Sequence, residues 1–182
     1  MWIYIIIAIV VILLIAIFMT YNNFVQLNNK VKEAFATMDV YLKKRWDLIP
    51  NIVETVKGYA KHEKETLEEV IKLRNGVYDN MSDNEKISAN TKLTNGINKI
   101  MALAEAYPEL KANENFKDLS SQLTKIEDEI ANSRKYYNGT VRDFNNKVEM
   151  FPSNIVAMIF GYKIRKMFEA NTEERENVKV NL

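Results

Sequence analysis

The stretch FKDLSSQLTKIEDEIANSRKYYNGTVRDFNNKVEMF (Phe116–Phe151) decides the fold of this chain. Mainly apolar residues recur at spacings of three and four, with Lys, Asp, Glu, Asn and Arg between them. On a helix these positions form one stripe, which we call the seam. Such an unbroken repeat is typical of a long helix that packs against its neighbours at a shallow angle. It predicts an all-α helical bundle in which this helix is the third. The seam positions are Phe116, Leu119, Leu123, Ile126, Ile130, Ser133, Tyr137, Thr140, Phe144, Val148 and Phe151.

The segment before this stretch predicts a second helix with well-marked ends. The loop NGVYDNMSDNE (Asn75–Glu85) finishes in a capping box, in which Ser82 caps the helix and Glu85 reaches back. Pro108 ends the helix because a proline disfavours helical backbone at the residue before it, here Tyr107. The residues available to cap the third helix are Asn113 and Asn115.

The first helix is predicted to continue from the N-terminal apolar segment to about Arg74. Its seam keeps its phase across Pro50, which predicts a kink in a continuous helix. Asp47 offers the alternative, since it can cap a restarted helix and make a true break. The seam comprises Phe35, Met38, Leu42, Ile49, Ile52, Val56, Tyr59, Leu67, Val70 and Leu73, with Arg45 and Glu63 as charged interruptions.

A fourth helix is predicted in IVAMIFGYKIRKMFEA (155–170), with Ser153 or Asn154 available as its cap. Its apolar run is too short to span a bilayer. The whole chain then divides into a transmembrane anchor (1–20), an elongated antiparallel, up-and-down four-helix bundle (21–170) and a polar C-terminal tail (171–182). We see no internal repeat.

The first twenty residues, MWIYIIIAIVVILLIAIFMT, contain no charged side chain. An apolar run of about 18 residues is long enough to cross a bilayer as a helix. A cleaved signal peptide would need a basic N-terminal region and a small-residue cleavage site, and neither is present. The segment therefore predicts an uncleaved single membrane span, with Trp2, Tyr4 and Tyr21 suited to the interfaces.

Charge predicts the orientation of that span. No basic side chain precedes it, whereas Lys30 and Lys32 follow it and Lys43, Lys44 and Arg45 lie further on. The positive-inside rule then places the chain in the cell membrane with its N-terminus outside and its bundle in the cytoplasm.

Composition argues against several classes of function. The formal net charge is +1, from 25 basic and 24 acidic residues. Nucleic-acid-binding proteins usually carry an excess of basic residues, so this balance argues against a nucleic-acid partner. There is no cysteine, which excludes thiolate chemistry. The one histidine, His62, has Thr66 where a metalloprotease motif requires a second histidine. We therefore predict no enzymatic activity, no metal site and no cofactor.

Two groups of residues are candidate contacts for a partner or ligand. The first is the basic run Lys43, Lys44 and Arg45, which suits either salt bridges within the bundle or a protein partner. The second surrounds Gly139 on the third helix, and a glycine inside a helix suggests a close approach of another helix. Its polar residues fit either a layer that fixes helix register or a ligand site. This second group contains Tyr136, Tyr137, Asn138, Arg142, Asn145 and Asn146.

Three stretches resemble the LemA family of bacterial membrane-anchored helical proteins. They are Tyr21–Val70, which contains DLIPN; Ala104–Val148, which contains YPELKANENF; and Phe151–Lys163, with its FP and FGY motifs. Phe35 stands where the family usually has Trp, and Tyr41 where Gln is common. The resemblance implies a helical bundle behind an N-terminal membrane helix and leaves the molecular role open. Some family members resemble lipoproteins, which favours the opposite orientation.

Together these features predict a non-enzymatic, single-pass membrane protein whose bundle is a scaffold or adaptor for protein partners. The alternative is a membrane-anchored sensor or ligand-binding domain that uses the Tyr/Asn-rich part of the third helix.

Overall fold

The fold is all-α throughout the residues that the computed structural model describes, which are 1–60, 62–74 and 78–168. This confirms the predicted fold class: a long apolar N-terminal helix followed by a helical bundle. The α-helices are α1 (Trp2–Lys57), α2 (Lys64–Lys72), α3 (Asp83–Ala106), α4 (Pro108–Ala112), α5 (Glu114–Glu149) and α6 (Ser153–Phe160), and a 3₁₀ turn spans Tyr78–Asn80.

Helix α1 runs through Pro50 without a break, so Asp47 does not restart a helix there. The first helix does not reach Arg74, however, and that prediction was wrong. It ends at Lys57, just before Gly58, and Leu67 and Val70 are buried on the separate helix α2. Glycine is a poor helix former, so a helix ends more readily there. The seam gave no sign of this break, because its buried positions continue on α2 after the break.

The described chain forms two structural units. Unit 1 consists of Met1–Ala36 and Lys135–Met167, and unit 2 of Thr37–Arg134 with Phe168. Helices α1 and α5 each contribute one part to each unit.

Four of the helical segments of unit 2, namely its part of α1, α2, α3 and its part of α5, alternate in direction. Its part of α1 runs parallel to α3, since Asp39 pairs with Lys86 near the start of both and Arg45 bonds to Asn90 further along both. Helix α2 runs antiparallel to α3, since Glu69 on α2 pairs with Lys99 on α3 while Glu63, just before α2, meets Tyr107, just after α3. The chain reversal after Lys57 therefore makes α1 and α3 parallel, whereas a single first helix would have made them antiparallel.

Two contacts give the direction of the α5 part of unit 2 relative to α1. The Arg45 guanidinium meets Glu127 on α5, and the amide of Asn113 donates to the Tyr59 hydroxyl at 2.8 Å. The earlier residue, Arg45, meets the later part of α5, and the later residue, Tyr59, meets the residue just before α5. These two segments are therefore antiparallel. The buried apolar side chains of this unit include Met38, Leu42, Ile49, Ile52, Val56, Leu93, Ile100, Leu110, Phe116, Leu123 and Ile130.

The predicted ends of α3 are confirmed. The Glu85 backbone N–H donates to the Ser82 hydroxyl, and the Ser82 backbone N–H donates to the Glu85 carboxylate at 2.8 Å. The helix stops at Ala106 before the non-helical Tyr107, and Pro108 then opens the short helix α4, which the sequence pattern did not indicate. Asn113 precedes α5, and its side chain accepts a hydrogen bond from the Phe116 N–H at 2.9 Å.

Unit 1 is held together by aromatic packing. Phe24 on α1 is fully buried, stacks on Tyr162 at 4.8 Å between ring centroids and meets the Phe144 ring edge at 6.2 Å. Phe35 lies 5.8 Å from the Tyr137 ring. Rising numbers on α1 again match falling numbers on α5, so the two helices are antiparallel here as well.

The end of the described chain differs from prediction. Helix α6 stops at Phe160, because Gly161 adopts a left-handed conformation (φ 73°) and the Tyr162 N–H bonds back to the Ala157 carbonyl. The predicted helix over 155–170 is therefore wrong over 161–168, which is not helical, and residues 169–170 lie outside the described residues. Ser153 does not cap α6 either; its hydroxyl donates to the Lys147 and Met150 carbonyls instead. The predicted tail, 171–182, and the start of the Asn75–Glu85 loop lie outside the described residues.

Candidate functional site

The basic run on α1 places its three cations in three different environments. Consecutive helical residues project about 100° apart, so neighbours do not share a face. The Lys43 ammonium pairs with the Asp47 carboxylate at 2.7 Å. Lys44 is exposed, with its ammonium 5.4 Å from the Tyr41 ring centroid. Arg45 points inward and is only 1% exposed.

Arg45 is the centre of a buried polar network in unit 2. One terminal nitrogen, Nη1, lies 2.8 and 2.9 Å from the two carboxylate oxygens of Glu127 on α5. The other, Nη2, donates to the Asn90 carbonyl at 2.9 Å and to its side-chain oxygen at 3.0 Å, while Thr94 accepts from Nη1 at 3.1 Å. Charge-assisted bonds of this kind are the strong ones. Arg45 therefore joins α1, α3 and α5 by contacts within the bundle, which is one of the two roles that the sequence left open for the basic run.

A second polar cluster, absent from the sequence-based candidates, lies at Tyr78. Its hydroxyl donates to the Asp39 carboxylate at 2.7 Å, and the same carboxylate pairs with Lys86 at 2.7 Å. Burial, and then this hydrogen bond, raise the pKa of Tyr78 well above its ordinary value. A tyrosine with a raised pKa stays protonated at neutral pH, so it acts as a hydrogen-bond donor and not as a base. The capping box fixes Lys86 at the start of α3, but no sequence signal indicated Asp39.

Lys44 borders an open groove between α1 and α5 in unit 2. The groove has a volume of about 570 Å³. Its nearly buried wall residue Leu48 supplies apolar surface, and the exposed cations Lys44 and Lys125 stand on the α1 and α5 sides. The other lining residues are Asp47, Asn51, Gln122 and Ile126. The groove thus combines an apolar strip with basic edges, which suits a protein segment more than a small polar ligand.

The candidate residues on α5 in unit 1 are not gathered into one site. Tyr136 is 53% exposed and Arg142 projects outward beside Asp143, whereas Tyr137 is buried and Asn138 half-buried. The Tyr137 hydroxyl donates to the Lys166 carbonyl at 3.1 Å.

Asn145 makes a matched pair of bonds with the chain that follows α6. Its amide donates to the Arg165 carbonyl at 2.9 Å, and its side-chain oxygen accepts the Arg165 N–H at 2.8 Å. The polar residues of α5 therefore hold the segment after Gly161 in register. The inference of a close helix approach at Gly139 was wrong, since a Cβ built there meets nothing within 4 Å.

The described part of the chain shows no cluster of side chains suited to a metal ion. Within it, no group of three or more His, Asp or Glu side chains is placed to hold a metal ion. His62 is exposed, and the Glu127 carboxylate is bound to Arg45.

One helix among the described residues, α1, has the length and composition of a membrane span. The apolar window that meets these criteria is not buried against any other part of the chain. A core helix of a water-soluble protein would be mostly covered, so the exposure supports association with a membrane.

Comparison with known proteins gives one matching family and several similar proteins. Residues 34–182 match the family model described as the LemA family. The chain is 27% identical over 161 residues to Protein LemA of Metamycoplasma hominis, covering 86% of this chain and 72% of that protein. It is 24% identical over 187 residues to Magnetosome protein MamQ 2 of Paramagnetospirillum magneticum, covering 88% of this chain and 68% of that protein. None of these names states an enzymatic activity.

Proposed function

Because the chain belongs to the LemA family, we propose that it is a membrane-tethered helical scaffold that binds a protein partner. The tether is the apolar first part of α1, which spans the bilayer once. The bundle holds the docking surface, and charge near the span favours its location in the cytoplasm.

The groove between α1 and α5 in unit 2 carries this proposal. Leu48 and Ile126 provide apolar surface, and Lys44 and Lys125 provide positive charge from two antiparallel helices. An amphipathic helix binds such a groove with its apolar face inward and acidic residues toward the basic edges. The partner we expect is therefore a protein segment of acidic, amphipathic character.

Helix-bridging contacts in unit 2 support a scaffold role. Arg45 fixes α1 and α5 relative to one another through Glu127 within the same unit that forms the groove. A groove whose walls are held together loses less entropy on binding than one that must be assembled. Arg45 thus shapes the docking surface without touching the partner.

Site-specific photo-cross-linking in native membranes tests the groove. A cross-linker in place of Gln122, in the groove, should capture a specific protein, whereas one in place of Asp128, exposed on the same helix outside the groove, should not. Reversing the groove charges with Lys44→Glu and Lys125→Glu should reduce the capture severalfold.

The matched control for charge is Lys92→Glu with Lys117→Glu, which makes the same change in net charge at exposed positions outside the groove. Capture that is equal from positions 122 and 128, or equal after either charge reversal, would contradict the proposal.

A further inference from the structure

Helix α6 in unit 1 exposes an unusual amount of apolar surface. Met158 is 83% exposed and Ile159 is 65% exposed, although Val156 and Ala157 on the opposite side are buried. Large exposed apolar patches on proteins mark sites that bind another protein, a ligand or a membrane. The exposed apolar side chains around this helix are Phe151, Ile155, Met158, Ile159, Phe160 and Ile164.

Contacts within unit 1 place α6 beside the end of the apolar segment 1–20. The Phe160 ring lies 4.6 Å from the ring of Tyr21, which directly follows the apolar segment 1–20. A second contact gives the same position of α6 along α1. Phe144 on α5 meets Phe24 on α1, and the two helices are antiparallel. Each later residue of α5 then lies about 1.5 Å nearer the apolar segment, so Glu149 is roughly 7–8 Å beyond Phe144 in that direction. Helix α6 therefore begins level with the end of the membrane span.

The surroundings of α6 match the chemistry of a bilayer surface. Residues 153–160 carry no charged side chain, so inserting them into lipid desolvates no charge. Tyr21 and Tyr162, whose ring centroids are 6.5 Å apart, suit the headgroup level, where tyrosine is enriched. Exposed Lys163 follows the helix and can reach lipid phosphates.

We propose that α6, with Phe151 and Ile164, is a second membrane contact that lies in the interface of the bilayer crossed by α1. Its face formed by Ile155, Met158 and Ile159 enters the boundary between headgroups and acyl chains, as interfacial helices do. The exposed apolar side chains of this surface then lie in lipid and not in water. The contact fixes unit 1 against the membrane surface, which a single span alone does not do.

Label depth in vesicles tests this inference, which rests on the membrane span of the proposed function. The chain has no cysteine, so single substitutions give unique labelling sites in the full-length protein. The sites are Met158→Cys and Ile159→Cys on α6, Ile9→Cys in the span and Lys135→Cys at an exposed position of α5. Lys135 is about 21 Å along α5 from Glu149, away from the span. Each variant carries an environment-sensitive fluorophore in vesicles of phosphatidylcholine and phosphatidylglycerol.

Quenchers attached to lipid acyl chains should quench the labels at positions 158 and 159, while aqueous iodide should quench only the label at position 135. Iodide quenching at 158 and 159 equal to that at 135 would overturn the inference. Protection from both quenchers that varies with the protein-to-lipid ratio would also overturn it, because a second copy of the chain would then cover α6.

The label at position 9 separates this inference from the proposed function. Lipid quenching at position 9 without quenching at 158 contradicts only the interfacial placement of α6. Loss of lipid quenching at position 9 contradicts the span itself and therefore both proposals. Circular dichroism of each variant confirms that the helices remain folded.

Discussion

The two structural units hold residues that are unusual for their locations, and they do so in opposite ways. In unit 2 a charged side chain, Arg45, is 1% exposed, whereas in unit 1 an apolar side chain, Met158, is 83% exposed. The buried charge is tolerated because Glu127, Asn90 and Thr94 replace the water that it lost. The exposed apolar side chain has no such compensation within the chain, so we place its compensation in the lipid.

Removing the buried charge should have the largest effect on stability. Arg45→Ala leaves the fully buried Asn90 without this partner and opens a cavity, so we expect a loss of about 3 kcal/mol in the free energy of unfolding. Thermal unfolding followed by circular dichroism in detergent measures it. The matched control is Lys43→Ala, which breaks an exposed ion pair with Asp47 and should cost less than about 1 kcal/mol. Equal losses in the two variants would show that Arg45 does not hold unit 2 together.

Two helical glycines, one in each unit, should respond in opposite directions. A Cβ on Gly96 would lie 2.9 Å from a methyl of Leu73 and 3.2 Å from Val70 on α2. We expect Gly96→Val to destabilise unit 2 by about 1–3 kcal/mol through overpacking of α2 against α3. The same unfolding experiment measures this loss.

Gly139 in unit 1 supplies the matched control for the glycine experiment. A Cβ there meets no atom within 4 Å, so Gly139→Ala should stabilise the helix by up to about 1 kcal/mol. Destabilisation by Gly139→Ala would reveal a close contact at α5 and restore the interpretation that the sequence first suggested.

An exposed polar interaction of unit 2 should give the smallest effect, and one that depends on pH. The Ser82 hydroxyl, followed by its backbone N–H, lowers the pKa of Glu85 below its ordinary value. A lowered pKa in the folded state means that this contribution is complete above the pKa of the unfolded chain. It is lost as the pH falls through the folded pKa.

Comparison of wild type with Ser82→Ala across pH measures that contribution. The difference in melting temperature should be constant near neutral pH and should shrink in acid, where Glu85 is protonated. A difference that does not change with pH would mean that the carboxylate takes no part in the cap.

Local signals in the sequence predicted much of the fold because they act over a few residues. The seam of α5 from Phe116 to Phe144, the Ser82–Glu85 capping box and the stop at Pro108 formed as predicted. The last predicted seam position, Phe151, was wrong, since it lies beyond the end of α5 and is 79% exposed. The helix end at Gly161 had a local signal too, but the continuing apolar residues favoured a longer helix. The chain reversal after Lys57 left only Gly58 as its signal, since the seam keeps its buried positions on both sides.

The candidate site depended on contacts between distant parts of the chain. Arg45 interrupts the seam, but its partners are 45, 49 and 82 residues away, and no spacing rule identifies them. The groove also pairs residues of α1 with residues of α5, so Lys125 and Gln122 gave no signal alone. Sequence reasoning recognised Lys44 as a candidate but could not separate it from the neighbouring Lys43 and Arg45.

Alkaline carbonate extraction of membranes that contain the full-length chain tests the tether most directly. We predict that the wild-type chain stays in the membrane pellet, because an interfacial contact alone is released and a span is not. Ile9→Arg with Ile12→Arg places two charges in the middle of the span, at a cost of several kcal/mol, and should move the chain to the supernatant. Release of the wild-type chain, or retention of the double variant, would contradict a membrane-tethered scaffold.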